Sequence, residues 1–176
     1  GEGAPSGPTP GRSGVFGLDD QGYLEVPDFD WFELVHADGD ELTGNYTLAC
    51  WLKVEPGNLG GQKVIWGQQS QGVHNGIRNG GFLHTAHWSS DFNAGTVLPE
   101  DEWLHAVWTY NAEDGLANIY LNGENDLEDQ SQNPPNGSGQ LVIRSRNGSN
   151  DKNEGFVGAL DDMAIVADSD AGVSIF

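Results

Sequence analysis

The sequence predicts an all-β fold, a two-sheet antiparallel β-sandwich with at most one short helix near 28–36, and three observations lead there. Nine short apolar or alternating runs recur between clusters of Gly, Asn, Asp and Ser, the pattern of many short strands joined by turns. Helical spacing shows only in DFDWFELVHA (28–37), where Asp28 could cap a turn ahead of Trp31, Phe32 and Leu34. The stretch Glu102 to Gly123 holds an eight-residue alternating run and two hairpin signals, Glu113-Asp114-Gly115 and Asn122-Gly123.

Taken in order, the predicted strands are VFGL (15–18), YLEV (23–26), YTLACWLKV (46–54), KVIWG (63–67), GFLHTAHW (81–88), WLHAVWTY (103–110), ANIYLNG (117–123), QLVIRSR (140–146) and GFVGALDDMAIV (155–166). In WLHAVWTY, Trp103, His105, Val107 and Thr109 share one face by period two, and Leu104, Ala106, Trp108 and Tyr110 share the other. Both faces are largely apolar, so this strand is expected at the centre of a sheet with His105 buried and hydrogen-bonded. The Asn-, Gly-, Asp- and Ser-rich segments 123–139 and 146–155 are expected to be exposed loops. Residues 1–14, rich in Pro, Gly and Ser, read as a linker or terminus, leaving 15–176 as one domain.

Composition narrows the function classes. Seven Lys and Arg against 27 Asp and Glu give a net charge of −20, which repels nucleic-acid phosphates and anionic membranes. Acid excess suits an extracellular or cell-surface setting, or carboxylates that hold Ca²⁺. The single cysteine, Cys50, can form no intrachain disulfide, and it reads as a small core residue between Ala49 and Trp51. No apolar run approaches the ~18 residues of a membrane span. Met163 is the only methionine, so the chain reads as part of a larger multidomain protein.

The W-x-H strand that leads through Glu113-Asp114-Gly115 into a strand ending Y-x-N-G (Tyr120–Gly123) resembles the signature of laminin-G-like and pentraxin-type domains, members of the concanavalin A-like lectin and glucanase superfamily. GFVGALDDMAIV resembles the G-x-L-D-D last strand of that group, VFGLDDQGYLEV its first hairpin, and YTLACWLKV its early core strand; the likeness runs from Val15 to Val166. It implies a jelly roll in which the first and last strands pair. Pairing of that kind would bring Asp19-Asp20 near Asp161-Asp162, where like charges at close range are costly unless a cation intervenes. The resemblance implies a structural Ca²⁺ there. The double-calcium site of pentraxins is not expected, because GQQSQGVHNG (67–76) and RSRNGSND (144–151) offer amides and arginines where carboxylates would be needed.

For a ligand, HTAHWSSD is the best stretch. A sugar is bound by an aromatic face against its CH side and by short polar groups that meet its hydroxyls. Trp88, His84, His87 and Asp91 supply those types, with Arg78 and, if its strand faces the same way, Trp66. The expected activity is non-catalytic binding of a carbohydrate or extracellular surface component. A protein-interaction domain without a sugar site is the alternative. A third reading rests on Glu124, Asp126 and Glu128, whose E-x-D-x-E spacing resembles the catalytic strand of β-glucanases; their position straight after the Asn122-Gly123 turn speaks against it.

Overall fold

The computed structural model describes residues 16–18, 24–30, 45–68, 72–135, 140–144, 154–167 and 173–174. They form β1 (Phe16–Leu18), β2 (Leu24–Asp30), β3 (Tyr46–Val54), β4 (Lys63–Gln68), β5 (His74–Arg78), β6 (Phe82–His87), β7 (Ser90–Val97), β8 (Leu104–Asn111), β9 (Leu116–Leu121), β10 (Glu124–Ser131), β11 (Gln140–Ile143), β12 (Gly158–Ala167) and β13 (Val173–Ser174). One sheet has the order β1-β12-β3-β8-β9-β10, with β13 beside β12, and the other runs β2-β11-β4-β5-β6-β7. The named strands all pair antiparallel, with one isolated parallel bridge between Val64 and Gly155, and the two sheets stack as a sandwich.

Alternation within strands builds the core. On β3, Tyr46, Leu48, Cys50, Leu52 and Val54 point inward; on β8, Leu104, Ala106, Trp108 and Tyr110 do. Ile65, Trp66, Ile77, Leu83, Leu141 and Ile143 meet them from the second sheet. Across the gap the Trp108 indole Nε1–H donates to the His84 carbonyl at 3.0 Å, so the largest buried ring on β8 also has a partner for its polar atom. The predicted Asn122-Gly123 hairpin is present: both residues have positive φ, 51° and 84°, as the tight turn between β9 and β10 demands. Gly76 of β5 is fixed by a close approach, because a Cβ there would lie 2.1 Å from the Lys63 carbonyl oxygen, beside the bulge between Val64 and Trp66.

Several expectations change. No helix occurs among the described residues. Asp28–Asp30 continue β2 as an edge strand paired with β11, where Pro27 is tolerated because an edge leaves one row of N–H groups unused; the rest of 31–36 lies outside the described residues. The segment expected as a loop at 123–139 contains β10, whose side chains are mostly exposed and therefore polar. Its register shifts twice against β9, which explains the missing alternation. β5 and β7 were not foreseen either, since HNGIR and SDFNAGTV carry few apolar residues.

His105 is not buried. β8 is central, between β3 and β9, but only its even-numbered residues face the other sheet. His105 lies half-buried on the outer face, its ring 5.2 Å from that of Trp51, and partial burial lowers its pKa while Asp162 works the other way. Cys50 is a core residue as expected, and burial pushes its thiol far up, so it carries no thiolate chemistry.

Candidate ligand-binding face

On β5, His74, Gly76 and Arg78 share one face by period two, and the core residue Ile77 takes the other. The pairings Gly76 with His84 and Ala86 with Asp91 extend the outer face across β6 and β7. His74, Arg78, His84 and Asp91 therefore stand together on the outside of the second sheet. A two-residue hairpin, Trp88-Ser89, joins β6 to β7 and lifts an indole above this face. The hairpin is pinned where the Trp88 backbone N–H donates to the Gly72 carbonyl at 3.0 Å. Trp88 is 52% exposed, an unusual state for so large an apolar group.

His74 is the centre of the cluster. Its ring lies 6.4 Å from Trp88 and 6.2 Å from His84, and its Nε2 is 3.9 Å from Asp91 Oδ1. Arg78 is clamped on two sides: Nη1 donates to Asp91 Oδ2 at 2.6 Å, while Nε and Nη2 donate to Gln62 Oε1 at 3.2 and 2.7 Å. His74 is itself nearly covered, and His84 on the same face is fully so. Burial first, then the neighbouring charges of Arg78 and His74, lower its pKa to about 3, so it is neutral and forms a floor under the cluster. The arrangement offers one exposed aromatic plane beside an ordered set of donors and acceptors.

Two residues expected in this site belong to the core instead. Trp66 has no exposed surface; its β4 position faces inward, among the residues that surround Cys50. His87 stands three residues from His84 on one strand, so the two must point to opposite faces. Its Nδ1 meets the Asn133 carbonyl at 2.7 Å and its Nε2 meets the Tyr46 hydroxyl at 2.6 Å. A carbonyl can only accept, so Nδ1 carries the proton and Nε2 accepts from Tyr46. Burial lowers the His87 pKa to about 4, and Tyr110 packs edge-on at 4.7 Å. This is a structural histidine that ties β3 and β6 to the connection after β10.

His74 and Gln62 were missed. His74 and Arg78 are four apart, so a strand reading of HNGIR would have put them on one face; only Ile77 argued for a strand there.

The first and last strands do pair, with Phe16 opposite Leu160 and Leu18 opposite Gly158. Asp161 pairs across with Trp51 of β3, is buried, and accepts the Asp162 N–H on Oδ1 at 2.8 Å. Asp162 is exposed, at a bulge with φ 45°. Asp19 and Asp20 lie outside the described residues. Among the described residues no group of three or more His, Cys, Asp or Glu is placed to hold a metal ion.

Glu124, Asp126 and Glu128 lie on the edge strand β10 rather than in a central strand. Asp126 is held by Thr96 of β7, whose hydroxyl donates at 2.6 Å, and Glu124 and Asp126 line an open cleft with Thr96 and Asn122.

A search of curated proteins by sequence gives no match. Solved structures do match. A Bacteroides ovatus protein described as carbohydrate binding aligns with TM-score 0.56 and 19% identity over 73% of this chain and 38% of its own. Domain 4 of AbnA, an extracellular arabinanase of Geobacillus stearothermophilus, solved with arabinotriose, aligns with TM-score 0.52 and 14% identity over 69% of this chain and 59% of its own. The Ruminococcus gnavus IT-sialidase CBM40, bound to α2,3 sialyllactose, aligns with TM-score 0.56 and 14% identity over 70% and 75%. The chain thus spans less than two thirds of the length of the first two. At such identities the likeness is one of fold. The family model described as the concanavalin A-like lectin/glucanases superfamily, a laminin-G type, matches residues 19–169, and this chain belongs to that family.

Proposed function

We propose that this chain is a non-catalytic carbohydrate-binding module of a larger extracellular protein, and that it binds through the outer face of β5, β6 and β7. The observation that carries this is Trp88, a half-exposed indole pinned at a hairpin tip beside the ordered His74–Asp91–Arg78 cluster. An indole face stacks on the CH side of a pyranose, while Asp91, partly exposed in front of the buried His74, meets hydroxyls. Similar solved modules described as carbohydrate binding support the class of ligand. An extracellular place suits such a ligand and agrees with the charge of −20.

Glycan-array binding of the wild type and Trp88→Ala tests this. The wild type is expected to bind at least one glycan and the variant to lose it, with an unchanged melting curve. Absence of any glycan ligand would leave the protein-interaction reading in its place. Release of reducing ends from a β-glucan would return the assignment to the carboxylates of β10.

The calcium implied by the family likeness is a separate proposal. It would need Asp19 or Asp20 beside the exposed carboxylate of Asp162, and a chelator should then lower the melting temperature. An unchanged melt removes the metal.

A further inference from the structure

We infer that the face formed by His74, Arg78, Asp91 and Trp88 takes neutral glycans and rejects acidic ones, with Asp91 standing where the carboxylate of an acidic sugar would have to go. The inference rests on the carbohydrate reading above. A sugar carboxylate is held best by a guanidinium that is free to present two parallel N–H groups. Arg78 is not free: Nη1 is taken by Asp91 Oδ2, and Nε and Nη2 both go to Gln62 Oε1. The other group on this face able to carry positive charge, His74, looks at the second oxygen of the same carboxylate, Asp91 Oδ1. One acidic side chain thus answers both basic ones.

No other basic side chain is shown turned toward the cluster among the described residues. Lys53 pairs with Asp101 at 2.6 Å on the opposite sheet, Lys63 of β4 stands in register with the core-facing Ile77 rather than with Arg78, and Arg144 is buried with its Nε donating to the Phe156 carbonyl. The chain as a whole carries −20, so a polyanionic glycan also meets long-range repulsion before any contact forms. What remains open on the face suits uncharged hydroxyls. Asp91 and the exposed Asn93 lie on the rim, and the Trp88 plane has no charge preference of its own.

The test is a titration of wild type and Asp91→Asn with neutral oligosaccharides (β-glucan, xylan, arabinan and mannan fragments) and acidic ones (oligogalacturonate and sialyllactose), with melting curves to confirm folding. The wild type is expected to bind a neutral fragment at least about tenfold more tightly than any acidic one, the worth of roughly one charge-assisted hydrogen bond. Asp91→Asn, by uncovering Arg78, should raise acidic-sugar affinity by about tenfold or more. Any residual acidic binding by the wild type should strengthen with added salt, because screening weakens the repulsion.

Wild-type binding of an acidic fragment as tight as the best neutral one, or weakened by salt, would overturn the inference and leave the carbohydrate reading intact. A folded Asp91→Asn variant with no gain for acidic sugars would overturn the part assigned to Asp91. Failure to bind any fragment of either kind removes the carbohydrate reading itself. Should Asp91→Asn not fold, the wild-type selectivity and its salt dependence decide.

Discussion

The inner and outer sides of the second sheet carry the same kinds of residue, and their tryptophans stand in opposite states while their histidines are buried on both sides. Inside, Trp66 is fully enclosed, and His87 has both ring nitrogens bonded, to Tyr46 and to Asn133. Outside, Trp88 is half exposed at a hairpin tip, and His74 faces a partly exposed carboxylate. Residue type alone does not tell a binding aromatic from a packing one. Position on the pleat and the presence of a covering sheet do.

Substitution should separate the two sides most sharply at the tryptophans. Trp66→Ala empties a large volume in the sandwich and is expected to destabilise the fold by about 3–5 kcal/mol in chemical denaturation. A loss below 1 kcal/mol would mean that Trp66 is not packed as described.

Acid should test the buried state of the histidines on both faces next. Both His84 and His87 have folded pKa values well below the ordinary 6.5, so the unfolded chain takes up protons more readily as the pH falls below that value. Stability is therefore full above about pH 6.5 and is lost on acidification toward about pH 4. The slope should reach about 1.4 kcal/mol per pH unit for each histidine. His87→Gln and His84→Gln should each flatten the curve by one histidine's share. A pH-independent melting temperature between pH 7 and pH 5 would contradict the buried, neutral state of both.

The smallest stability effect is expected at Trp88. Trp88→Ala should change unfolding free energy by no more than about 0.5 kcal/mol, as for most exposed substitutions, while abolishing glycan binding. A loss comparable to that of Trp66→Ala would show that the indole packs against the sheet rather than serving a ligand, and the contrast between the two faces would collapse.

Much of this was legible beforehand where burial enforces alternation. The run Tyr46–Val54 appears as β3 with its predicted bounds, and Leu104–Tyr110 as the heart of β8, because each inward position must be apolar. Two edge strands escaped notice for the converse reason. β7 and β10 face water on much of their surface, so no apolar period marks them. The candidate site was half legible: HTAHWSSD held Trp88, Asp91 and His84, yet included His87, which strand parity alone assigns to the other face.

By itself the sequence determined the all-β class, the central strands, the Asn122-Gly123 turn and the acidic charge, all of which depend on neighbours close along the chain. It determined too which residues of one strand share a side. Only the tertiary structure decided which side is covered, that His74 and Arg78 of β5 and Asp91 of β7 come to one face, and that Asp91 answers the charge of Arg78 across 13 positions. The physical reason is that the pleat fixes sidedness locally, whereas burial and ion pairing depend on which strands lie adjacent and on what the second sheet leaves open to water.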